Sequence, residues 1–200
     1  MTFPAKSTLR QRCVEYRTRL SDEDYATRST AIRKRAADWP PLQRGTMIHA
    51  YWPMTEEREV DIRPIIRSLH DRGTQVVLPM VTTFATSNGD TPAMEHRRFT
   101  GEENLATNRW DLREPVNGER VSPNELDGVI VPALGADRRG HRIGHGYGYY
   151  DTFLRDVDAP TLALVYNACL VDRVPADAHD VAVDCVITET ETICPDGDFA

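Results

Sequence analysis

Apolar positions along this chain fall into short blocks, and their spacing changes from block to block. In KSTLRQRCVEYRTR (6–19), Leu9, Cys13 and Tyr16 recur at the spacing of one helix face. Ser21 stands three residues before Asp24, which resembles a capping box with Asp where Glu is usual. A second, basic helix is therefore expected to about Ala37, and WPPLQRG stops it because proline cannot continue a helix. TMIHAYW (46–52) reads as a buried strand. VDIRPIIRSLHDR (60–72) reads as a helix with Ile62, Ile65, Ile66 and Leu69 inward and Pro64 in its first turn, where proline is tolerated. Gly73 ends it, and TQVVLPMV (74–81) is the next strand. A strand–helix–strand unit implies parallel pairing and a right-handed crossover.

The stretch 82–126 is the least regular. TTFATSNGDTP is rich in turn residues, MEHRRF reads as a strand, and RWDLREPVNGERVSPNE is loop-like. Its length points to function or disorder rather than packing. DGVIVPAL (127–134) is the clearest buried strand; a glycine-rich segment and a helix, YYDTFLRDV, follow it. TLALVYN (161–167) and VAVDCVIT (181–188) are further strands, and the tail from 190 to 200 is expected to fray. Two helices followed by alternating strands and helices predict a single α/β domain over 1–200. Its central sheet is expected to be open, mostly parallel, Rossmann-like, and covered by helices on both faces. Ligands bind such sheets beyond the carboxyl ends of the strands.

Composition narrows the setting. No apolar run approaches the roughly 20 residues of a membrane helix, and MTFPAKSTLRQR lacks the apolar core of a signal peptide. A cytoplasmic protein without a membrane partner is expected. The net charge of −7 gives no bulk attraction for nucleic acid. The four cysteines, at 13, 169, 185 and 194, form no C-x-x-C pair, and no histidine stands at zinc-finger spacing from them. Free thiols are expected, because a reducing compartment disfavours disulfides. No exposed apolar stripe is evident, so a monomer is expected.

GHRIGHGYGYYDTFL (140–154) carries the chemistry. Gly144, Gly146 and Gly148 lie between a strand and a helix, where backbone N–H groups can approach an anion and the helix end adds its positive pole. Asp151 falls in the first helical turn, a natural bridge for Mg²⁺ beside phosphates. Arg138, Arg139 and Arg142 lie just upstream and are expected to screen phosphate charge. The spacing matches neither the dinucleotide fingerprint nor the classical phosphate loop. Two readings fit it: an anion-binding loop, or a turn that only positions a helix.

The wider string VPALGADRRGHRIGHGYGYYDTFL resembles the signature of the 5-formyltetrahydrofolate cyclo-ligase (5,10-methenyltetrahydrofolate synthetase) family. Pro132, Leu134, Asp137, Gly140, Arg142, the three loop glycines, Tyr149, Tyr150, Asp151 and Leu154 match in order. KSTLR looks like the family's opening K-x-x-[LI]-R, through Lys6 and Arg10. YWPMTEEREVDIRPII resembles the stretch with a substrate-contacting glutamate, which maps onto Glu59. LREPV resembles the E-P after the family's variable loop, and VPADAHDVAVDCVITE its ending, through His179, Asp180 and Asp184. The chain departs from the pattern at Ala133, Ala136, Tyr147 and Thr152; Ala136 in place of Phe is expected to reshape the pocket wall.

The resemblance implies a ligase that uses ATP to close 5-formyltetrahydrofolate to 5,10-methenyltetrahydrofolate, releasing ADP and phosphate. Phosphorylation of the formyl oxygen makes a leaving group, and N10 attacks the activated carbon. Such chemistry needs positioning and charge neutralisation more than a protein nucleophile. Lys6 and Arg142 are implied as catalytic. Lys6, Arg10, Arg142, Gly144, His145, Gly146, Tyr147, Gly148, Tyr149 and Tyr150 are implied at ATP, although His145 occupies a variable position and its side chain is expected to face solvent. Met54, Glu59, Tyr149 and Tyr150 are implied at the folate, and Asp151 and Asp180 at Mg²⁺. Blander readings stand beside these. Lys6 and Arg10 also suit a solvated helix face, and Glu59 suits a helix dipole. His179 is expected to bond locally and Asp184 to serve structure, while Trp39, Trp52 and Trp110 default to packing. A diverged member acting on another substrate, or a non-catalytic domain that binds a phosphorylated metabolite, are the alternatives.

Overall fold

The computed structural model describes residues 3–83, 93–195 and 197. Three helices open the chain: α1 (Lys6–Thr18), α2 (Asp22–Ala36) and α3 (Pro40–Arg44). Then come β1 (Met47–His49), α4 (Arg63–Asp71), β2 (Gln75–Thr83), β3 (Ala93–Arg98), β4 (Leu105–Thr107) and β5 (Arg113–Pro115). β6 (Gly128–Val131), β7 (Gly135–Asp137), β8 (Arg142–Ile143) and α5 (Tyr149–Phe153) follow. β9 (Thr161–Leu164), β10 (Leu170–Val171), β11 (Cys185–Ile187) and β12 (Thr192–Ile193) complete the order.

Local chemistry sets several of these boundaries. Ser21 Oγ accepts the Asp24 N–H at 3.1 Å and starts α2. Acids at 22–24 and bases at 33–35 then match its dipole, and Tyr25, Ser29, Ile32 and Ala36 form the buried stripe. Pro64 sits in the first turn of α4, and Gly73 ends that helix at φ +84°. Ile62, Ile66 and Leu69 are buried as expected, with Ile65 half-buried beside them.

The central sheet has the order β12-β11-β9-β6-β1-β2-β3. Its four inner pairings are parallel, and both edge pairings are antiparallel. Side chains alternate between two cores, as the strand period requires. Ile130, Leu162, Leu164 and Ile187 join Leu9, Ile32 and Ile66 of the helices on one face. Val129, Val131, Ala163 and Val186 join Phe153 and Leu154 on the other. Two carboxylates tie the amino ends of the strands. Asp127, before β6, accepts the Thr46 and Met47 N–H groups ahead of β1 at 2.7 and 3.0 Å. Asp184, before β11, accepts the Thr161 N–H and hydroxyl at 2.8 and 2.7 Å, the structural role expected of it. No helix among the described residues is long and apolar enough to cross a membrane.

Three expectations need correction. Thr192–Ile193 of the tail is ordered as β12 and pairs with β11, so it does not fray there; residues 196 and 198–200 lie outside the described ones. Within 82–126, the loop-like stretch contains β5, paired antiparallel with β4, and residues 84–92 lie outside the described ones. Cys185 and Cys194 are joined in a disulfide, whereas Cys13 and Cys169 are free and buried. The register Val186↔Ile193 and Ile187↔Thr192 sets the two thiols opposite each other, which no spacing in the sequence shows.

The bridge closes a sequence separation of nine residues, for which loop-closure entropy gives about 2–3 kcal/mol. Cys194→Ser is therefore expected to lower the melting temperature by about 5–10 °C, and reductant is expected to lower wild type by the same amount. Identical melting of oxidised and reduced wild type would contradict this.

Candidate active site

A cleft of about 610 Å³ opens where the inner parallel strands end. Tyr51, Trp52, Met54 and Glu59 reach it from the segment after β1, Pro79 and Val81 from β2, and Pro132 and Ala133 from the segment after β6. α1 contributes Lys6 and Arg10, the glycine loop contributes residues 144–151, and the loop before β11 contributes Asp177, His179 and Asp180. All the expected ATP, folate and metal residues thus line one cavity.

Its charged end is built from pairs. Lys6 Nζ donates to Asp177 at 3.0 Å and also to Asp180. Burial works against the ammonium, but these two carboxylates outweigh it and raise the Lys6 pKa. Burial works against the Asp180 carboxylate, but the Lys6 ammonium and the Asp177 N–H outweigh it and lower its pKa. Arg10 Nε donates to the Gly144 carbonyl at 2.8 Å, and its guanidinium lies against Gly146, where a Cβ would come within 3.0 Å. Arg142 is nearly sealed, with 5 % of its side chain exposed, and donates to Asp151 Oδ1 at 3.0 and 3.1 Å. Gly148, at φ +81°, begins the short helix that presents Asp151.

The other end is aromatic and acidic. Glu59 is buried, and its carboxylate accepts the Met54 N–H at 2.9 Å. Burial raises its pKa, and the charge of Arg17 opposes this only in part. Tyr150 faces the cleft, yet its phenol oxygen is enclosed and has no hydrogen-bond partner among the described residues. Burial drives that phenol far above its ordinary pKa, so it stays protonated as a donor. Tyr149 donates to the Thr83 carbonyl at 3.0 Å.

Other expected roles change. Arg138 and Arg139 do not screen phosphate: Arg138 pairs with Glu191 at 2.7 Å, and Arg139 pairs with buried Asp137 at 2.6 Å. Asp137 also accepts the Val174 and His141 N–H groups, so it organises the chain. Ala136 is buried in the second core and is absent from the cleft wall, so it does not reshape it. Trp39 and Trp52 are core, as expected, and Trp52 and Trp110 also line the cleft. His145 lines the cleft and is exposed, as its position in the motif suggested.

Arg17 was missed in the sequence. It is 2 % exposed, and its Nε donates to the Glu57 carbonyl at 3.0 Å. Its two terminal nitrogens have no hydrogen-bond partner among the described residues. The signal was present: Arg17 follows Leu9 and Cys13 at four-residue steps, a charge on the apolar stripe of α1.

Because folding raises the Glu59 pKa, the native state binds the extra proton and loses stability as pH rises from about 4.5 through the folded value. Glu59→Gln is therefore expected to be more stable than wild type at neutral pH, with an advantage that shrinks on acidification. Its KM for a ligand bonded to Glu59 is expected to rise at least about 10-fold, since such a bond to a charged group contributes about 1.5–3 kcal/mol. Melting curves against pH and initial rates read both effects; a variant less stable than wild type at pH 7 contradicts the first.

Comparison with known proteins agrees with this geometry. The model of the 5-formyltetrahydrofolate cyclo-ligase family matches residues 2–189. A 5-formyltetrahydrofolate cyclo-ligase of Mus musculus is 28% identical over 198 residues, covering 92% of this chain and 94% of its own. One from Mycolicibacterium smegmatis is 31% identical over 150 residues, covering 72% and 74%. The NMR structure of Aquifex aeolicus 5,10-methenyltetrahydrofolate synthetase superposes with a TM-score of 0.81 at 27% identity, covering 98% of this chain and 95% of that one. With its parallel sheet, its glycine loop and a family match spanning nearly its whole length, the chain belongs to the 5-formyltetrahydrofolate cyclo-ligase family.

Proposed function

We propose that this protein is an ATP-dependent ligase that closes 5-formyltetrahydrofolate to 5,10-methenyltetrahydrofolate, with release of ADP and phosphate. The observation that carries the reading is Gly144. A Cβ there would meet no atom within 4 Å, and its φ lies outside the left-handed region. Neither packing nor backbone strain requires glycine, whereas a triphosphate lying against the backbone does.

On this reading Lys6 and Arg10 receive the phosphates, and triphosphate oxygens compete with Asp177 and Asp180 for the Lys6 ammonium. The glycine loop supplies N–H donors to the phosphoryl group in transit. Arg142, held by Asp151, keeps positive charge at the floor of the cleft. Glu59 accepts from the N–H groups of the pterin, Met54 packs on that ring, and Tyr150 offers an O–H that has no partner among the described residues. Tyr149 forms the adjoining wall. N10 then attacks the activated formyl carbon and phosphate departs, so no protein nucleophile is needed.

Asp151 and Asp180 fit a hard divalent cation. Each hydrogen bond to Asp151 goes to Oδ1, which leaves Oδ2 unbonded among the described residues. Asp180 uses Oδ2 for Lys6 and the Asp177 N–H, and its Oδ1 has His179 4.0 Å away. Mg²⁺ bound there would supply charge neutralisation for the triphosphate. The test is to mix protein, Mg-ATP and 5-formyltetrahydrofolate and follow the near-ultraviolet absorbance of the methenyl product. Absence of product with ATP bound would overturn the activity.

A further inference from the structure

Tyr147 is 50 % exposed, and it occupies the centre of the glycine loop between Gly146 at φ +98° and Gly148 at φ +81°. Its ring stacks on Trp110, with centroids 5.1 Å apart and planes 20° apart. Trp110 belongs to another part of the chain, the tight turn between β4 and β5. There Asn108 Oδ1 accepts the N–H groups of Trp110 and Leu112 at 2.8 and 3.2 Å, and the Asn108 N–H bonds to the Leu112 carbonyl at 2.8 Å. Tyr149 meets Trp110 edge-on at 6.0 Å and is itself tied to Thr83. One partner of the stack is thus fixed by a hydrogen-bonded turn. The other rides on a segment with glycine on both sides, where backbone rotation is least restricted. Both rings line the cleft.

On the reading above, in which the cleft carries a phosphoryl transfer, we propose that the Tyr147–Trp110 stack is a clasp. It fastens the glycine loop to the β4–β5 turn over bound substrates and keeps water from the phosphoryl group. The productive path breaks the terminal phosphoryl bond of ATP and forms a bond from phosphorus to the formyl oxygen. Attack by N10 then expels inorganic phosphate, so each closed ring is matched by one ADP and one phosphate. Water reaching the same phosphorus yields ADP and phosphate with no ring closed. Closing a site excludes that competing reaction, and an offset aromatic stack holds a closed state by about 3- to 10-fold. Tyr147 is a positioning residue in this scheme; it sets how tightly ATP use is coupled to cyclisation.

The test compares wild type, Tyr147→Ala and Tyr147→Phe, counting ADP released per methenyl product and following Mg-ATP release by stopped-flow tryptophan fluorescence. Wild type is expected to release one ADP per product. Tyr147→Ala is expected to raise that ratio about 3-fold or more and to speed ATP release about 3- to 10-fold. Tyr147→Phe, which keeps the ring, is expected to restore both readouts. A ratio that stays at one in Tyr147→Ala overturns the clasp. If wild type binds ATP but forms no methenyl product, the proposed activity fails; the release rates then decide the clasp, and equal rates in wild type and Tyr147→Ala overturn it. If wild type binds no Mg-ATP, both proposals fall.

Discussion

Asp151→Ala is expected to abolish Mg-dependent turnover and to destabilise the protein by about 3–5 kcal/mol. The second effect follows from Arg142, whose side chain is 5 % exposed and whose hydrogen bonds to Asp151 measure 3.0 and 3.1 Å. Burial lowers the Arg142 pKa, and the Asp151 charge opposes that shift. Without the carboxylate a buried guanidinium loses its ion-pair partner and keeps only the Val181 carbonyl at 3.3 Å and the charge of Asp180. Alanine therefore confounds folding with function. Asp151→Asn separates them, because its amide oxygen still accepts from Arg142 and from the Val181 N–H. It is expected to retain more stability than the alanine variant and to lose at least about 100-fold in kcat, the scale of removing one well-placed charge-stabilising group. Denaturation midpoints and kcat against Mg²⁺ concentration read the two effects. An Asp151→Asn enzyme with wild-type kcat and wild-type Mg²⁺ dependence would sink the metal assignment.

Gly140→Ala is expected to cost about 3–5 kcal/mol or to prevent folding, among the largest effects of a single substitution. Gly140 sits at φ +81°, and a Cβ there would lie 2.1 Å from the Val183 carbonyl oxygen. That approach is built in, since the Val183 N–H also bonds to the Gly140 carbonyl at 2.9 Å. Strain and a backbone clash act together. Gly144→Ala is the control. Its Cβ meets nothing within 4 Å, so stability is expected to change by less than about 1 kcal/mol. KM for ATP is expected to rise instead. Equal destabilisation of the two variants would contradict this division, in which one glycine of the motif serves the fold and the other the ligand.

Much of the fold was readable from short windows. The α2 cap, Pro64 and Gly73 around α4, and the apolar block of β6 each act through hydrogen bonds or rotations within a few residues. The ordered matches of 132–154, with the glycines and tyrosines at their centre, made the family legible, because twelve matches in sequence are hard to meet by accident. The candidate site was legible as a set of residues but not as a set of contacts. Arg138 and Arg139 look like Arg142 in sequence, yet only Arg142 reaches the cleft. Trp110 carried no motif, and its place against Tyr147 depends on a turn 37 residues away in the chain.

The sequence by itself therefore determined most of the element types, the two-faced parallel sheet and the glycine loop, because periodicity, capping and backbone freedom are local properties; the short elements α3, β5 and β12 were not legible in it. Tertiary structure alone decided which charges meet. Lys6 finds Asp180 across 174 residues, and Arg142 is sealed beneath Asp151 with a carbonyl from Val181. It also decided that Cys185 faces Cys194, since strand register sets that pairing. These contacts depend on how separate elements pack, and the energy of a buried ion pair is fixed by the burial of both partners, which no single stretch of sequence contains.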